Sequence, residues 1–419
     1  MVFCIVRTCE FLAGIAITRE NNKWELILKK DQFYLPEGVI YLDGNSLGPL
    51  PKAAVSQMNK TVEDEWGAML IKGWNDAGWM KKPSIVGDKI GKLLGCALGS
   101  TVVGDTLSIK VYQALASALA MRPERKVVLS DNGNFPSDLY IADGLLRTLK
   151  QGHELRVVAP EDVYENITED VAVVMLTQVD YRTGRMHDMQ AVTKAAHDVG
   201  AISIWDLAHS AGAVPVDMTA CNAEFAVGCT YKYLNGGPGA PGFIYTRPDI
   251  ADEAEPSLAG WLGHAEPFAF DLEYRPARGI ERMRVGTPPI LQLAALETAL
   301  AVWDDVSIHD VREKSIALSE LFIREVEANC PQLKLISPRN ADERGSQVSF
   351  AFEHGYPAMQ ALIEAGVIGD FRAPDTMRFG FTPLYLDESD VTRAVEILTD
   401  IMKNETWKQP RFQKKGDVT

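Results

Sequence analysis

Between Lys126 and Thr246 the chain alternates short, continuously apolar runs with segments of helical spacing. The runs are Lys126-Val-Val-Leu-Ser130, Leu155-Arg-Val-Val158, Val171-Ala-Val-Val-Met-Leu176, Ala201-Ile-Ser-Ile-Trp205, Phe225-Ala-Val227 and Gly242-Phe-Ile-Tyr245. Helical patterns lie between several of them, notably Ser137–Lys150 and Met189–Val199. Successive strand side chains point to opposite faces, so a run without polar alternation is buried on both sides. Buried strands alternating with helices specify an α/β fold with a mostly parallel sheet. Such a sheet collects ligands at the carboxyl ends of its strands.

Two residues stand at such ends. Asp206 follows Ile202-Ser-Ile-Trp205, and Lys232 lies in Cys229-Thr-Tyr-Lys-Tyr-Leu-Asn-Gly-Gly-Pro-Gly-Ala-Pro-Gly242. A lysine between an apolar run and a glycine-rich loop has little room to reach solvent, and a desolvated amine is a nucleophile towards aldehydes. The plainer alternative is a surface lysine at a strand end. A buried carboxylate needs a cationic partner. A protonated pyridine ring would serve, and its charge makes that ring an electron sink. Together the pair points to pyridoxal phosphate (PLP), with Lys232 as Schiff-base lysine and Asp206 on the ring nitrogen. His209, three residues after Asp206, can bond this carboxylate or be a structural histidine.

Other stretches supply the remaining parts. Val102-Val-Gly-Asp-Thr-Leu-Ser-Ile109 runs into a strong helix that Arg122-Pro123 ends. Its backbone N–H groups and the Thr106 and Ser108 hydroxyls can converge on a phosphate, or Asp105 or Thr106 is merely an N-cap. Phe135, in Asn134-Phe-Pro-Ser-Asp138, can stack on a planar ring while Asp138 reaches a ring substituent; a loop phenylalanine can also simply pack. Arg378 in Met377-Arg-Phe-Gly-Phe381 lies between apolar residues, near Arg372. Arginine binds carboxylates bidentately, the alternative being a structural ion pair, and Arg378 is the preferred candidate. Residues 72–83 form a loop dense in Trp and Gly, either a pocket wall or packing.

At 419 residues the chain exceeds one ordinary core, so two domains are expected. The irregular stretch 251–289 is rich in Pro, Gly and Arg; a long helix is expected from Leu291 through Asp305, and the tail after Lys408 is expected to fray. A net charge of −15 argues against nucleic acid as a partner but not against a local cationic pocket. The six cysteines are scattered, with no metal spacing, which suits buried free thiols in a reducing cytoplasm. The first 17 residues are apolar but interrupted by Arg7 and Glu10, too short for a membrane span and unlike a signal peptide.

Several strings carry a resemblance: Tyr41-Leu-Asp-Gly-Asn-Ser-Leu-Gly48, Asn134-Phe-Pro-Ser-Asp138, Trp205-Asp-Leu-Ala-His-Ser-Ala-Gly212 and Tyr231-Lys-Tyr-Leu-Asn-Gly-Gly-Pro-Gly239, with Gly260-Trp-Leu-Gly-His264, Gly286-Thr-Pro-Pro-Ile290 and Arg378-Phe-Gly-Phe-Thr-Pro-Leu-Tyr385. Spread over most of the chain, they resemble fold-type I PLP enzymes of the class V aminotransferase-like group, and within it the kynureninase family. The resemblance implies a PLP-dependent transferase-like fold: an N-terminal arm over 1–50 joining the small domain, a large PLP-binding domain over 51–290 with a mostly parallel seven-stranded sheet, and a small α+β domain over 291–419. It implies that Lys232 carries PLP and shuttles protons, with Asp206, Asp138 and His209 about the ring and Phe135 stacked on it. Thr106, the Leu107 backbone and Ser108 would hold the phosphate, and Tyr231 would reach it and assist acid–base steps. Trp261 and Thr287 match positions that the family contributes from a second subunit, which implies a homodimer. Arg378 would bind the substrate α-carboxylate, with Ser46 and Trp74 near the aryl end, where Trp74 leans towards kynurenine over its 3-hydroxy form. The implied activity is hydrolysis of the Cβ–Cγ bond of L-kynurenine, and also of 3-hydroxykynurenine, to anthranilate or 3-hydroxyanthranilate and L-alanine, in tryptophan catabolism. Two alternatives stand beside it: another class V enzyme, such as a cysteine desulfurase (with Cys330 the only C-terminal candidate thiol) or an aminotransferase, and a non-catalytic ligand-binding protein on the same scaffold.

Overall fold

The computed structural model describes residues 24–414 and 416. The apolar N-terminal stretch, with Cys4 and Cys9, lies outside them. Thirteen strands are found among the described residues. They are β1 (Ile40–Tyr41), β2 (Thr101–Val103), β3 (Val127–Asp131), β4 (Glu154–Val158), β5 (Val171–Thr177), β6 (Ile202–Asp206), β7 (Phe225–Gly228), β8 (Phe243–Thr246), β9 (Lys334–Leu335), β10 (Gln347–Ala351), β11 (Val367–Ile368), β12 (Asp370–Arg372) and β13 (Thr376–Gly380).

Seven of these form one sheet in the order β2-β8-β7-β6-β5-β3-β4. Only β8 runs antiparallel, to both β2 and β7. The other pairings are parallel, as expected where crossovers separate the strands. The apolar alternation divides the core between the two faces. Val128, Val173, Met175, Ile204, Phe225 and Ile244 pack with the helices Leu107–Ala120 and Pro136–Leu149. Leu129, Val174, Leu176, Trp205, Ala226 and Phe243 join a second, larger core that continues into residues 308–412. Both faces are therefore covered, and the carboxyl ends of β2, β3, β5, β6 and β7 meet at one edge.

A second sheet, antiparallel throughout, has the order β12-β13-β10-β9. The helices Ile308–Asn329 and Glu388–Lys403 cover it, around Phe322, Phe350, Phe379 and Phe381. The two-residue strand β1 pairs in parallel with β11, Ile40 opposite Val367.

Several expectations change. The run Leu155–Val158 is not buried on both faces: β4 is the sheet's edge strand, and Val157 is 42% exposed. The helix expected from Leu291 through Asp305 is Ile290–Leu300, followed by a 3₁₀ turn at Ala301–Trp303. The Trp-rich stretch is a run of short helical turns rather than an open loop. In it Trp79 is buried, and its indole N–H donates to Glu65 at 2.8 Å. The tail does not fray before residue 414: Phe412 is buried and Arg411 pairs with Glu364 at 2.7 Å. In each case a tertiary partner decides, which local pattern does not encode.

Candidate active site

β6 ends in Asp206 at the shared edge, opposite Thr177 on β5 and Val227 on β7. The chain then turns sharply, and the Ala208 N–H donates to Asp206 Oδ1 at 2.9 Å. The carboxyl is buried, and burial pushes its pKa up to about 6 against the opposing charge of Lys232 and the Ala208 N–H. Asp138, in the first turn of Pro136–Leu149, is buried too. Burial and then the Asp206 charge hold it well above the usual carboxylate range. Two buried carboxyls thus share one cationic side chain.

Lys232 follows β7 in a tight loop. The Asn235 N–H donates to the Lys232 carbonyl at 2.9 Å, and Asn235 takes φ +57°. Lys232 Nζ lies 3.0 Å from His209 Nε2. Burial, then the charges of Lys232, Arg378 and Arg372, hold His209 well below its ordinary pKa. The imidazole is therefore neutral and accepts from the lysine, while a backbone bond ties it to Asn45. The rings of Phe135 and Tyr231 lie 6.0 and 5.8 Å from Nζ. Phe135 meets Tyr181 edge-to-face at 5.2 Å. Burial, then neighbouring Cys229, raises the Tyr231 phenol, so it stays protonated.

At the end of β2, Asp105 adopts φ +55° and the helix Leu107–Ala120 begins. Thr106 is its N-cap, accepting from the Ile109 N–H at 3.5 Å. Ser108 Oγ lies 3.4 Å from Ser137 Oγ, which brings the N-termini of two helices together. Gly242 closes the other side, where a Cβ would stand 2.7 Å from the Leu107 nitrogen. Beneath this turn the fully buried Lys110 bonds Asp105 at 3.1 Å, Gln113 at 3.0 Å and the Met283 carbonyl at 3.1 Å. Thr287 is exposed and lines a narrow cleft with Gly104, Asp105 and Arg284 of its own chain.

The guanidinium lies across the cleft. β12 and β13 put Asp370 directly opposite Arg378. Arg378 Nε donates to Asp370 Oδ1 at 2.6 Å, and Nη2 donates to Asp370 Oδ2 and, at 2.9 Å, to Ser46 Oγ. Nη1 donates to the Tyr181 carbonyl. Burial raises Asp370, but its hydrogen bond to Arg378 and the charges of Arg378 and Arg372 outweigh it and hold the carboxyl low. Asp43, beside this group, is pushed up to about 7 by burial and by Asp370.

The structure brings together Lys232, Tyr231, His209, Asp206, Asp138 and Phe135. Thr106, Leu107 and Ser108 sit on one helix start. Ser46, expected near the aryl end, bonds the Arg378 guanidinium. Trp74 packs on Trp79 at 5.5 Å, with no hydrogen bond or ring contact to the Lys232 group among the described residues. Trp261 is 42% exposed and meets Phe268, itself exposed. Sequence reasoning passed over Thr177, Ser137, Tyr181 and Asp370. Thr177 ends its own apolar run, the signal that identified Asp206, and Asp370 is two residues from Arg372, hence on the same strand face.

The donor set fits PLP. A helix start with two hydroxyls suits a phosphate, the buried Asp206 lacks a fixed cation of its own, and Lys232 Nζ stands beside an exposed aromatic face.

Comparisons agree with this geometry. Residues 311–398 match the family model for the kynureninase C-terminal domain. The chain is 49% identical over 397 residues to a kynureninase from Pseudomonas fluorescens, covering 93% of this chain and 95% of that protein. A Burkholderia pseudomallei (strain 1106a) kynureninase is 47% identical over the same shares. In fold the chain resembles a cysteine desulfurase from Thermococcus onnurineus NA1, with TM-score 0.76, 19% identity and coverage of 90% of this chain and 98% of that one. It also resembles a C-DES variant carrying glycine covalently linked to its PLP cofactor, with TM-score 0.75, 16% identity and coverage of 88% and 99%. The seven-stranded α/β architecture is thus that of fold-type I PLP enzymes. On its identity to relatives across nearly its whole length, this chain belongs to the kynureninase family.

Proposed function

We infer that this chain is a PLP-dependent hydrolase that cleaves the Cβ–Cγ bond of L-kynurenine, giving anthranilate and L-alanine. One observation carries the reading within the site: a single cleft holds an amine on a neutral imidazole, a buried carboxyl without its own cation, and a buried guanidinium.

Bound PLP supplies an electron sink for negative charge at the substrate Cα. In our reading Thr106, Leu107 N–H, Ser108 and Ser137 would hold its phosphate, Asp206 its ring nitrogen, Phe135 its face and Lys232 its aldehyde carbon. His209 accepts from Lys232 and keeps the amine aimed. Lys232 takes the proton from the substrate Cα. Tyr231, held protonated by burial, gives a proton at the γ-carbonyl oxygen as water adds to the γ-carbon. Positioned proton transfer of this kind contributes ~10²–10⁴-fold. The Cβ–Cγ bond then breaks, anthranilate leaves, and Cβ takes a proton. Arg378 anchors the α-carboxylate throughout.

The test is anthranilate fluorescence on adding L-kynurenine to the PLP-loaded protein. Anthranilate release is expected; its absence with PLP fully bound overturns the reading. A desulfurase reading needs an accessible thiol facing the cofactor. Cys330 is fully buried, its Sγ 3.7 Å from Thr399.

We also read the chain as a cytoplasmic homodimer with shared active sites. The exposed Trp261, Phe268 and Phe270 support a subunit contact, and Cys96, Cys221, Cys229 and Cys330 are free thiols. We keep the division at 51–290 and 291–419: the seven-stranded sheet falls within the first part and the four-stranded one within the second. The β1–β11 pairing supports an arm joining the C-terminal part.

A further inference from the structure

The geometry points to Arg372 as a second, directly binding cation for the substrate α-carboxylate, with Asp370 as the residue that positions both guanidinium groups.

A guanidinium has five N–H donors. Arg378 commits four of them: Nε and Nη2 to Asp370, Nη2 to Ser46, and Nη1 to the Tyr181 carbonyl. Its fork is filled by a protein carboxylate, and a single Nη1 hydrogen remains. One hydrogen does not make the bidentate grip by which arginine selects a carboxylate. Charge gives the same result. Arg378 and Asp370 are both almost completely buried and together neutral, so alone they offer an incoming anion no net attraction.

Arg372 supplies what is missing. Residues two apart on a strand share a face, so β12 presents Arg372 beside Asp370, opposite Arg378. Its Nη2 bonds Asp370 at 2.8 Å and reaches Ser46 Oγ at 3.4 Å, the hydroxyl that Arg378 also holds. Its Nη1 donates to the Phe371 carbonyl, and its Nε has no protein partner among the described residues. The side chain is 38% exposed, unlike Arg378 at 2%. The charges of both arginines act on His209, which touches Lys232, so both contribute positive potential on the lysine side of the site. Two cations around Asp370 leave a net positive charge while neighbouring Asp43, raised by burial and by Asp370, keeps its proton, and a substrate carboxylate neutralises that charge.

This assignment rests on the α-amino-acid reading of the site but not on kynurenine cleavage, so it is tested by binding. The PLP-loaded protein is titrated with L-alanine and with L-alaninamide, following the cofactor's visible absorption band. The wild type binds alanine at least about tenfold more tightly than the amide. Arg372→Gln sharply reduces that preference by weakening alanine alone, and Arg372→Lys restores part of it, while the band before titration is unchanged in both. The inference is overturned if Arg372→Gln weakens both ligands equally, if it leaves alanine binding unchanged, or if the wild type does not discriminate. Anthranilate release from L-kynurenine is measured separately, so failure of the hydrolase reading is seen on its own.

Discussion

Two buried aspartates of this site behave oppositely. Asp206 is raised to about 6, because burial outweighs the Lys232 charge and the Ala208 N–H. Asp370 is equally buried but held low, because Arg378 and Arg372 more than offset its desolvation. The first carboxyl has no fixed cation of its own; the second is saturated with them. The difference separates a seat built to receive a positive group from a clamp built to present one. A buried charge without a partner is costly, so of the two carboxyls Asp206 is the one whose burial is less compensated.

The comparison can be broken in five ways. Lys232→Ala removes the amine and should reduce anthranilate formation by more than about 10³-fold, judged against acid–base contributions of ~10²–10⁴; the visible band on adding PLP should vanish with it. Arg378→Gln leaves Asp370 with Arg372 as its one remaining guanidinium and should cost up to about 3–5 kcal/mol of stability, read as a lower denaturation midpoint. Asp206→Asn should do the reverse in cofactor-free protein near pH 8, raising that midpoint, because it removes a charge that has no settled partner. A loss of stability there would abolish the contrast.

The fourth way is pH. Asp43 and Asp206 have folded pKa values raised to about 7 and about 6. Their contribution to stability is complete below the ordinary carboxylate pKa and is lost as pH rises through those values. Cofactor-free protein should therefore melt at a lower temperature at about pH 8 than at about pH 5, and Asp206→Asn should flatten part of that slope. Asp370 works in the other direction: its contribution is present above the ordinary pKa and disappears only in acid. The smallest effect is expected from Gly44→Ala, whose Cβ would stand 2.2 Å from the Tyr385 hydroxyl and 3.0 Å from Thr382 Oγ1. Overpacking costs about 1–3 kcal/mol, so a modest drop in midpoint with a weakened guanidinium side is the outcome to look for.

The two sides also differ in how far the sequence revealed them. Asp206 and Lys232 follow apolar runs directly, and in a parallel sheet the end of a run is also the end where ligands sit. Thr106 and Ser108 announce themselves at a helix start. The clamp is hidden because it is made by register: Asp370 opposes Arg378 only once β12 and β13 are paired, and Ser46 joins them across 324 residues of chain. The same limit explains the edge position of β4, since an apolar run does not say where in a sheet it will lie. Phe412 is buried by partners that tail composition does not reveal. Trp79, expected in a loop, shows that an aromatic beside glycines can be core: Gly73 lies flush against its ring.

The turn after β1 has a consequence of its own. On one side the Gly48 N–H bonds the Tyr231 carbonyl, and any Cβ there would stand 2.3 Å from the Lys232 carbonyl. On the other side Ser46 bonds Asp370 and Arg378. Asn45, between them, is wholly buried and meets His209 through its backbone. Residues 43–48 are thus a gauge block wedged between the lysine and the guanidinium. An α-amino acid carries its amine and carboxylate on one carbon, so the gap it must span is constant whatever its side chain. On the proposed function, a spacer of fixed thickness would read that gap, and would leave the rest of the ligand to be judged elsewhere.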